Sequence, residues 1–256
     1  MISLREKSIR FPTESTMSSP RTRFAKILRL PLSLIPREAE VRILCGPLRG
    51  KKWIVGAGPH ALWIGTYEVG RIRAFANAVT QSDVVYDVGA NVGIYSLLAS
   101  LRVGASGKVY SFEPLERNLS YLRRHLILNN MQNCLIVETA VSNRDGTRPF
   151  SAAAWDTCMG RLSPDGETLI SSITLDSCIY GEKGLRPPDI IKIDVEGAEF
   201  EVLRGASRAL IEFHPTIFLE IHGTQLHADC HTFLLAKGYH VAEKYGQMTA
   251  TWRSST

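Results

Sequence analysis

A strand that ends in an acid and a glycine-bounded turn, then passes at once into a helix, leaves a chain few folds to choose from. Here that unit is Val84-Val85-Tyr86-Asp87-Val88-Gly89-Ala90-Asn91-Val92-Gly93, followed by Ile94, Leu97, Leu98 and Leu101 at the i, i+3, i+4, i+7 spacing of an amphipathic helix. The pattern repeats. Residues 109–112 read as a second strand, and Leu115, Leu119, Leu122 and Leu126 stripe the helix after it. Residues 135–137 read as a third strand. Residues 190–193 form a fourth, before a helix holding Phe200, Leu203 and Leu210, and residues 217–221 a fifth, before a helix with Leu226, Phe233 and Leu234 that stops near Gly238. Strands alternating with helices of this length predict a parallel, doubly wound α/β sheet covered on both faces. Residues 240–245 and 249–252, joined near Gly246, break the alternation and predict a terminal hairpin. Turn signals at residues 143–146 and 163–166 mark an insertion, at about 143–188, of strands plus a short helix over one end of the sheet.

Charge is spread unevenly. The 256 residues are 45% hydrophobic and 21% charged, which excludes collagen-like, coiled-coil and wholly disordered chains. Residues 1–82 carry 14 Lys/Arg against 5 Asp/Glu and the remainder 16 against 20, so the net +5 is a +9 segment joined to a −4 segment. The expected organisation is a basic, partly disordered leader (1–39), an N-terminal cap or hairpin (40–82) and a catalytic domain (83–256). Residues 1–22 are rich in Ser, Thr, Pro and Arg and read as disordered. Residues 23–36 read as a short amphipathic helix, packed on the domain or lying on a membrane surface as a peripheral contact. In the cap, short strand-like pieces are punctuated by Gly46, Gly50, Gly56, Gly58 and Gly65. Five scattered cysteines without CxxC spacing suit a reducing cytoplasm. No apolar run approaches the ~20 residues of a membrane span, and no apolar stretch follows the first basic residues as in a secretory signal.

The turn after the first strand carries the chemistry. Gly89 and Gly93 allow a tight turn and a close backbone approach to a ligand, and a helix N-terminus offers free N–H groups. Asn91 and Ile94 stand where a GxGxxG would need glycine, so the dinucleotide fingerprint is broken and a nicotinamide oxidoreductase is disfavoured. Asp87 at the strand tip favours a ligand with a cationic end. Glu113, followed by Pro114 at the end of the second strand, suits the two hydroxyls of a ribose. The two acids together describe a nucleoside with a positively charged tail, which is the shape of S-adenosylmethionine.

The runs VVYDVGANVGIYSLLAS, VYSFEP, MGRLSPDGETLISSITLDS and above all PDIIKIDVEGAEFEVLRGA resemble the FkbM-type family of S-adenosylmethionine-dependent methyltransferases. The preceding RILCGPLRGKKWIVGAGPHALWIGTYE is also similar to stretches ahead of the core in bacterial members, so the likeness covers roughly residues 40–245. It implies the class I methyltransferase Rossmann-like fold: a doubly wound sheet of seven strands with an antiparallel C-terminal hairpin, plus an N-terminal extension. It also implies that Asp87, Gly89, Ala90, Asn91 and Gly93 line the methionine end of the cofactor, that Glu113 with Pro114 holds the ribose, and that Ala140 and Val141 flank adenine.

Methyl transfer to a hydroxyl is an in-line displacement that needs the acceptor aligned and its proton removed. Lys192 and Asp194 share one face of the fourth strand, and Glu220 and His222 share one face of the fifth, because side chains alternate. His222 is the expected general base. Asp194 borders the cofactor and orients the acceptor or serves as base itself, and Lys192 is expected to pair with Glu220. Glu196 and Glu199 read mainly as acids offsetting a helix dipole. Trp155 and Met159, in the insertion, read as a lid over the acceptor or as the insertion's own small core. No metal is assigned: His222, His227, Cys230 and His231 lack a convincing zinc pattern, and Mg²⁺ on Asp194 and Glu220 is not required by the resemblance. The expected reaction is methyl transfer to a hydroxyl of a small molecule, natural product or glycan, with no nucleic-acid partner. The alternatives are a nucleic-acid methyltransferase or binder using the basic N-terminal third, and a scaffold that only binds the cofactor.

Overall fold

The structure, a computed structural model, describes residues 32, 34–152, 160–162, 166 and 168–252. The chain divides into two compact units, Met1–Pro36 and Arg37–Thr256; all that follows concerns the second. The expectations for residues 1–22 and for most of 23–36 lie outside the described residues, as do Trp155 and Met159.

The second unit begins with an antiparallel hairpin, β1 (Glu40–Arg42) and β2 (Lys52–Ile54). Two helices follow, α1 (Ala61–Ile64) and α2 (Val69–Ala78). Strand-like pieces were expected over this stretch, and the helices correct that. The glycines between 46 and 65 make turns, with Gly65 (φ 83°) closing α1 in a left-handed cap. Ile72, Phe75 and Ala76 recur at i, i+3, i+4 and bury one helical face.

The core then runs as the alternation predicts: β3 (Val84–Val88), α3 (Ile94–Val103), β4 (Lys108–Phe112), α4 (Glu116–Leu128) and β5 (Cys134–Val137). Next come β6 (Ala140–Val141), β7 (Gly146–Ala152), β8 (Gly160–Leu162) and β9 (Thr168–Ile173), which form a separate four-stranded sheet in the order β6-β9-β7-β8 and lead into α5 (Leu175–Tyr180). The chain returns through β10 (Ile190–Ile193), α6 (Glu199–Gly205), α7 (Ser207–Phe213), β11 (Thr216–Leu219), α8 (Thr224–Ala236), β12 (Tyr239–Lys244) and β13 (Gln247–Trp252). The single helix expected after the fourth strand is two, broken at Ala206.

Seven strands lie in the order β12-β13-β11-β10-β3-β4-β5. All run parallel except β13, which is antiparallel to both neighbours. After β3 the chain winds outward through β4 and β5, then crosses back to β10 on the other side. The carboxyl ends of β3 and β10 therefore flank the topological switch point, where such sheets bind ligands. One face of the sheet buries Tyr86, Val88, Tyr110, Phe112, Ile191, Ile193, Ile217 and Leu219 in a continuous core. On the other face Phe75 packs edge-to-face on Phe218 and Tyr95.

Gly89 ends β3 at φ 76°, and a Cβ there would fall on the Asp194 carbonyl oxygen. Its glycine character serves the approach of the turn to the end of β10. Gly89→Ala is expected to cost about 2 kcal/mol in urea unfolding, from the left-handed backbone and the forced separation of the two strand ends.

Candidate active site

The site is built on a buried polar row. In the register of the sheet Lys192 of β10 stands beside Asp87 of β3, and Asp87 beside Ser111 of β4. All three point to the face opposite the main apolar core, because their strand neighbours Ile191, Ile193, Tyr86, Val88, Tyr110 and Phe112 fill that core. Lys192 Nζ lies 3.5 Å from Asp87 Oδ1 and 3.5 Å from Asp194 Oδ2, and donates to the Gly89 carbonyl at 3.1 Å. Ser96 Oγ of α3 donates to Asp87 Oδ2 at 2.6 Å, and Ser111 Oγ donates to Ser96 Oγ at 2.7 Å. The ammonium also sits 4.9 Å from the Tyr95 ring centroid. Burial alone would lower the Lys192 pKa, but the charges of Asp194 and Asp87 outweigh it and raise it, so the side chain stays a cation.

This arrangement revises three sequence expectations. Lys192 binds Asp87 and Asp194 rather than Glu220, and it lies inside the protein as a strut for the turn. Asp87 is wholly buried and does not line the cleft. Glu220 pairs with Arg71 of α2. Glu220 and His222 also lie beyond the end of β11 at Leu219, so strand alternation does not set their directions.

A cleft opens at the switch point. Gly89, Asn91, Glu113, Pro114, Ala140, Val141 and Asp194 line it, and Ala90 and Gly93 do not. Glu113 is nearly buried at its wall. Its Oε2 accepts from the Asn91 backbone N–H at 2.8 Å, and its Oε1 accepts from the Leu115 N–H at 3.0 Å and from Asn118 Nδ2 at 3.1 Å. A carboxylate offers about four acceptor positions, so room remains for a ligand hydroxyl. Burial raises the Glu113 pKa despite these donors. Asn118, which the sequence reading missed, lies on the first turns of α4 and orients this acid. Phe112, Leu115, Phe150, Val195 and Ala198 add apolar surface, with Thr139 among them.

Asp194 and Glu196 line the same cleft, and His222, which does not, lies beside them. Glu196 lines the cleft, and Glu199, at the start of α6, is fully buried. Glu199 Oε1 lies 2.9 Å from His222 Nδ1 and accepts from the Gly197 N–H at 3.0 Å. His222 Nε2 is 3.5 Å from Glu196 Oε2. Partial burial would lower the His222 pKa, but its hydrogen bond to Glu199 and the charges of Glu196, Glu199 and Asp194 raise it. Glu199 thus anchors the histidine while standing, as expected, in the first turn of α6. Its spacing from His222 in sequence offered no signal. His227 pairs instead with Glu243 at 2.7 Å, and Cys230 is buried in the core, so neither joins His222.

The N-terminal elements reach the same region. Glu68 accepts from the Tyr95 hydroxyl at 3.0 Å and from Arg71 at 3.0 Å. Arg71 also donates to the Tyr245 and Gly246 carbonyls, tying α2 to the turn of the terminal hairpin.

Seven strands in this order, with one reversed strand and a ligand cleft at the switch point, make this a class I methyltransferase fold. A solved SAM-dependent O-methyltransferase from Thermotoga maritima shares that fold at a TM-score of 0.50 and 13% identity, covering 88% of this chain and 82% of that one. The chain belongs to the methyltransferase FkbM domain family, whose model matches residues 87–241. The family's cofactor is S-adenosylmethionine. Among curated relatives, the hexuronic acid methyltransferase AglP of Haloferax volcanii is 30% identical over 156 residues, covering 59% of this chain and 61% of AglP. The 31-O-demethyl-FK506 methyltransferase FkbM of Streptomyces tacrolimicus is 28% identical over 158 residues, covering 50% of this chain and 60% of that protein. The chain thus matches about three fifths of the length of these relatives. Among the described residues no helix is long and apolar enough to cross a membrane.

Proposed function

We propose that the protein transfers the methyl group of S-adenosylmethionine to a hydroxyl of a small molecule or sugar. The observation that carries this reading is the cleft itself. It is lined by an anchored acid, Glu113, and by Asp194 and Glu196, with His222 beside these two. The residues present fit the cofactor: Glu113 would accept from its ribose, Ala140, Val141 and Phe150 would flank its base, and Gly89, Asn91 and Asp194 would border its charged end. When bound, the cofactor supplies an electrophilic methyl group.

The protein's own task is to align the acceptor and remove its proton. Asp194 and Glu196 border the cleft and His222 stands beside them. With Glu199 on Nδ1, the Nε2 of His222 is the nitrogen left for the acceptor side. In the simplest form of the reading, Nε2 takes the hydroxyl proton. The relatives named for hexuronic acid and for FK506 support an oxygen acceptor on a sugar or a natural product. The same proposal places the protein in the cytoplasm, where Cys45, Cys134, Cys178 and Cys230, all unbridged, would stay reduced.

Calorimetric titration with S-adenosylhomocysteine tests the cofactor site. Wild type should bind one equivalent, and Glu113→Gln should bind about tenfold more weakly, the loss of one charged hydrogen bond. A folded wild-type chain that binds none would refute the proposal. Transfer from labelled donor into hydroxylated sugars and macrolides, followed by location of the methyl, then identifies the acceptor atom.

A further inference from the structure

We propose that a second pocket, walled by the N-terminal elements and the start of α3, holds the aliphatic body of the methyl acceptor. The substrate class is then an alcohol with an aliphatic body rather than a free sugar, an inference that rests on the methyl-transfer reading above. Ile43, Leu48, Leu62, Val69, Ile72 and Ile94 line the pocket, with Tyr67 as its aromatic wall. Its space of about 150 Å³ is many times the roughly 10–15 Å³ that one water needs. Among the described residues Arg73 is the one charged group lining it. Such a wall gains by taking hydrocarbon out of water, and it leaves the many hydroxyls of a sugar short of partners.

The pocket is preformed. The loop that carries Cys45 and Leu48 is pinned to α1: the Leu44 N–H donates to the Trp63 carbonyl at 2.9 Å, and Cys45 Sγ donates to the Ile64 carbonyl at 2.8 Å. A Cβ on Gly65 would strike the Cys45 carbonyl, so glycine lets this loop close on the helix. A pocket already ordered binds without that cost.

Its place identifies the occupant. Residues that line the pocket stand next in sequence to residues that hold the acids at the ends of β10 and β11. Tyr67 lines it, and Glu68 accepts from the Tyr95 hydroxyl at 3.0 Å. Ile94 lines it, and the ring of Tyr95 lies 4.9 Å from the Lys192 ammonium, itself 3.5 Å from Asp194. On α2, Val69 and Ile72 line it, while Arg71 between them pairs with Glu220. One wall therefore separates the aliphatic pocket from Asp194, which borders the cofactor cleft on its other side. Tyr67 stands in that wall. Burial and the charges of Glu68, Asp194 and Glu220 raise its pKa, so its hydroxyl stays protonated and lies within the field of all three acids. An acceptor whose body fills the pocket extends its hydroxyl past Tyr67 toward Asp194. Apart from Ile94, the lining lies outside residues 87–241 matched by the family model, so choice of acceptor rests with elements ahead of that domain.

The test uses the full chain with labelled Ile, Leu and Val methyl groups, saturated with S-adenosylhomocysteine. Cyclohexyl alcohols with spacers of increasing length are titrated and followed by nuclear magnetic resonance, with glucose as the comparison. The alcohols should give saturable shifts at Ile43, Ile72 and Ile94, and glucose none. Affinity should rise by up to about fourfold per added methylene until the pocket is full. At the best spacer length the carbinol protons should show an Overhauser contact with S-adenosylhomocysteine. Thr66→Trp and Val69→Trp, at exposed positions on the wall, fill the pocket and should each weaken binding roughly tenfold or more. Leu235→Trp, exposed on α8, should leave it unchanged. Circular dichroism checks folding, and the second filling variant keeps the test sound if the first does not fold. The proposal is overturned by absence of alcohol-dependent shifts, which is also the result if a second copy or another part of this chain already fills the pocket. Shifts that glucose matches, binding that neither tryptophan weakens, or a bound alcohol without contact to S-adenosylhomocysteine at any spacer length overturn it as well. If S-adenosylhomocysteine binds in those cases, only the pocket proposal has failed; if it does not bind the folded wild type, the methyl-transfer reading has failed.

Discussion

Replacing Lys192 by methionine is expected to cost 3–5 kcal/mol, the usual penalty for breaking a buried ion pair by removing one partner (~3–5 kcal/mol). The reason lies in what is left behind. Asp87 is fully buried, its Oδ1 has no hydrogen-bond partner, and Lys192 is the only cation within ion-pair distance among the described residues. Asp194 would lose the same partner. The substitution also removes the hydrogen bond to the Gly89 carbonyl, so the turn bordering the cleft loses its strut. Binding of S-adenosylhomocysteine should therefore weaken together with stability. Urea unfolding measures the first effect and calorimetry the second. The double variant Lys192→Met with Asp87→Asn should recover part of the loss, about 1–2 kcal/mol, because it removes the orphaned charge and keeps an acceptor for Ser96. A single-variant cost below about 1 kcal/mol would show that the buried charge is met in some other way.

The second large effect belongs to His125 and to acid. This fully buried histidine joins three elements. Its Nε2 accepts from the Ile54 N–H of β2 at 3.1 Å, its Nδ1 lies 2.8 Å from the carbonyl of Val92 in the cofactor turn, and its ring stacks on Trp53 at 3.7 Å. Since Nε2 accepts, Nδ1 carries the proton, and the ring must be neutral. One helical turn on, Asn129 bonds both the N–H and the carbonyl of Lys52, so α4 holds β2 as a neighbouring strand would. Burial pushes the His125 pKa down to about 4, against 6.5 in an open chain. Above pH 6.5 both states are neutral there and stability does not respond. As pH falls from 6.5 to about 4, the unfolded chain takes up a proton that the folded chain refuses. Stability then drops by roughly 3 kcal/mol in total, at about 1.4 kcal/mol per pH unit. Urea midpoints at pH 8 and pH 4.5 should show this loss in wild type. His125→Gln should start less stable, with its own acid loss smaller by most of that amount. Equal slopes in the two proteins would sink the assignment.

These two residues mark how far a sequence can be read. The five core strands, the helical stripes after them and the terminal hairpin were visible because apolar periodicity is local: each run declares its own period of two or near four. The acids at strand tips were visible for the same reason, and Glu113 and Asp194 do line the cleft. Asp87 is the instructive failure. Its place at the tip of β3 suggested a ligand contact, yet its partners are Lys192, more than a hundred residues on, and Ser96. The α2 helix was missed because glycines just ahead of it imitate strand punctuation. The contact of Glu199 with His222 was missed because an acid in the first turn of a helix has a sufficient local explanation.

What the sequence determined by itself is the doubly wound core, its reversed terminal hairpin and the side of each strand on which a residue falls. Those follow from backbone periodicities that any short window contains. Tertiary structure decided the register that sets Lys192 beside Asp87 and Asp87 beside Ser111, the reach of His125 to Ile54 and Val92, and the closing of Glu199 on His222. Each of these joins elements whose relative position comes from packing the whole sheet. No local window holds that information, because the free energy that selects one register or one helix seat is spread over all the contacts the core makes at once.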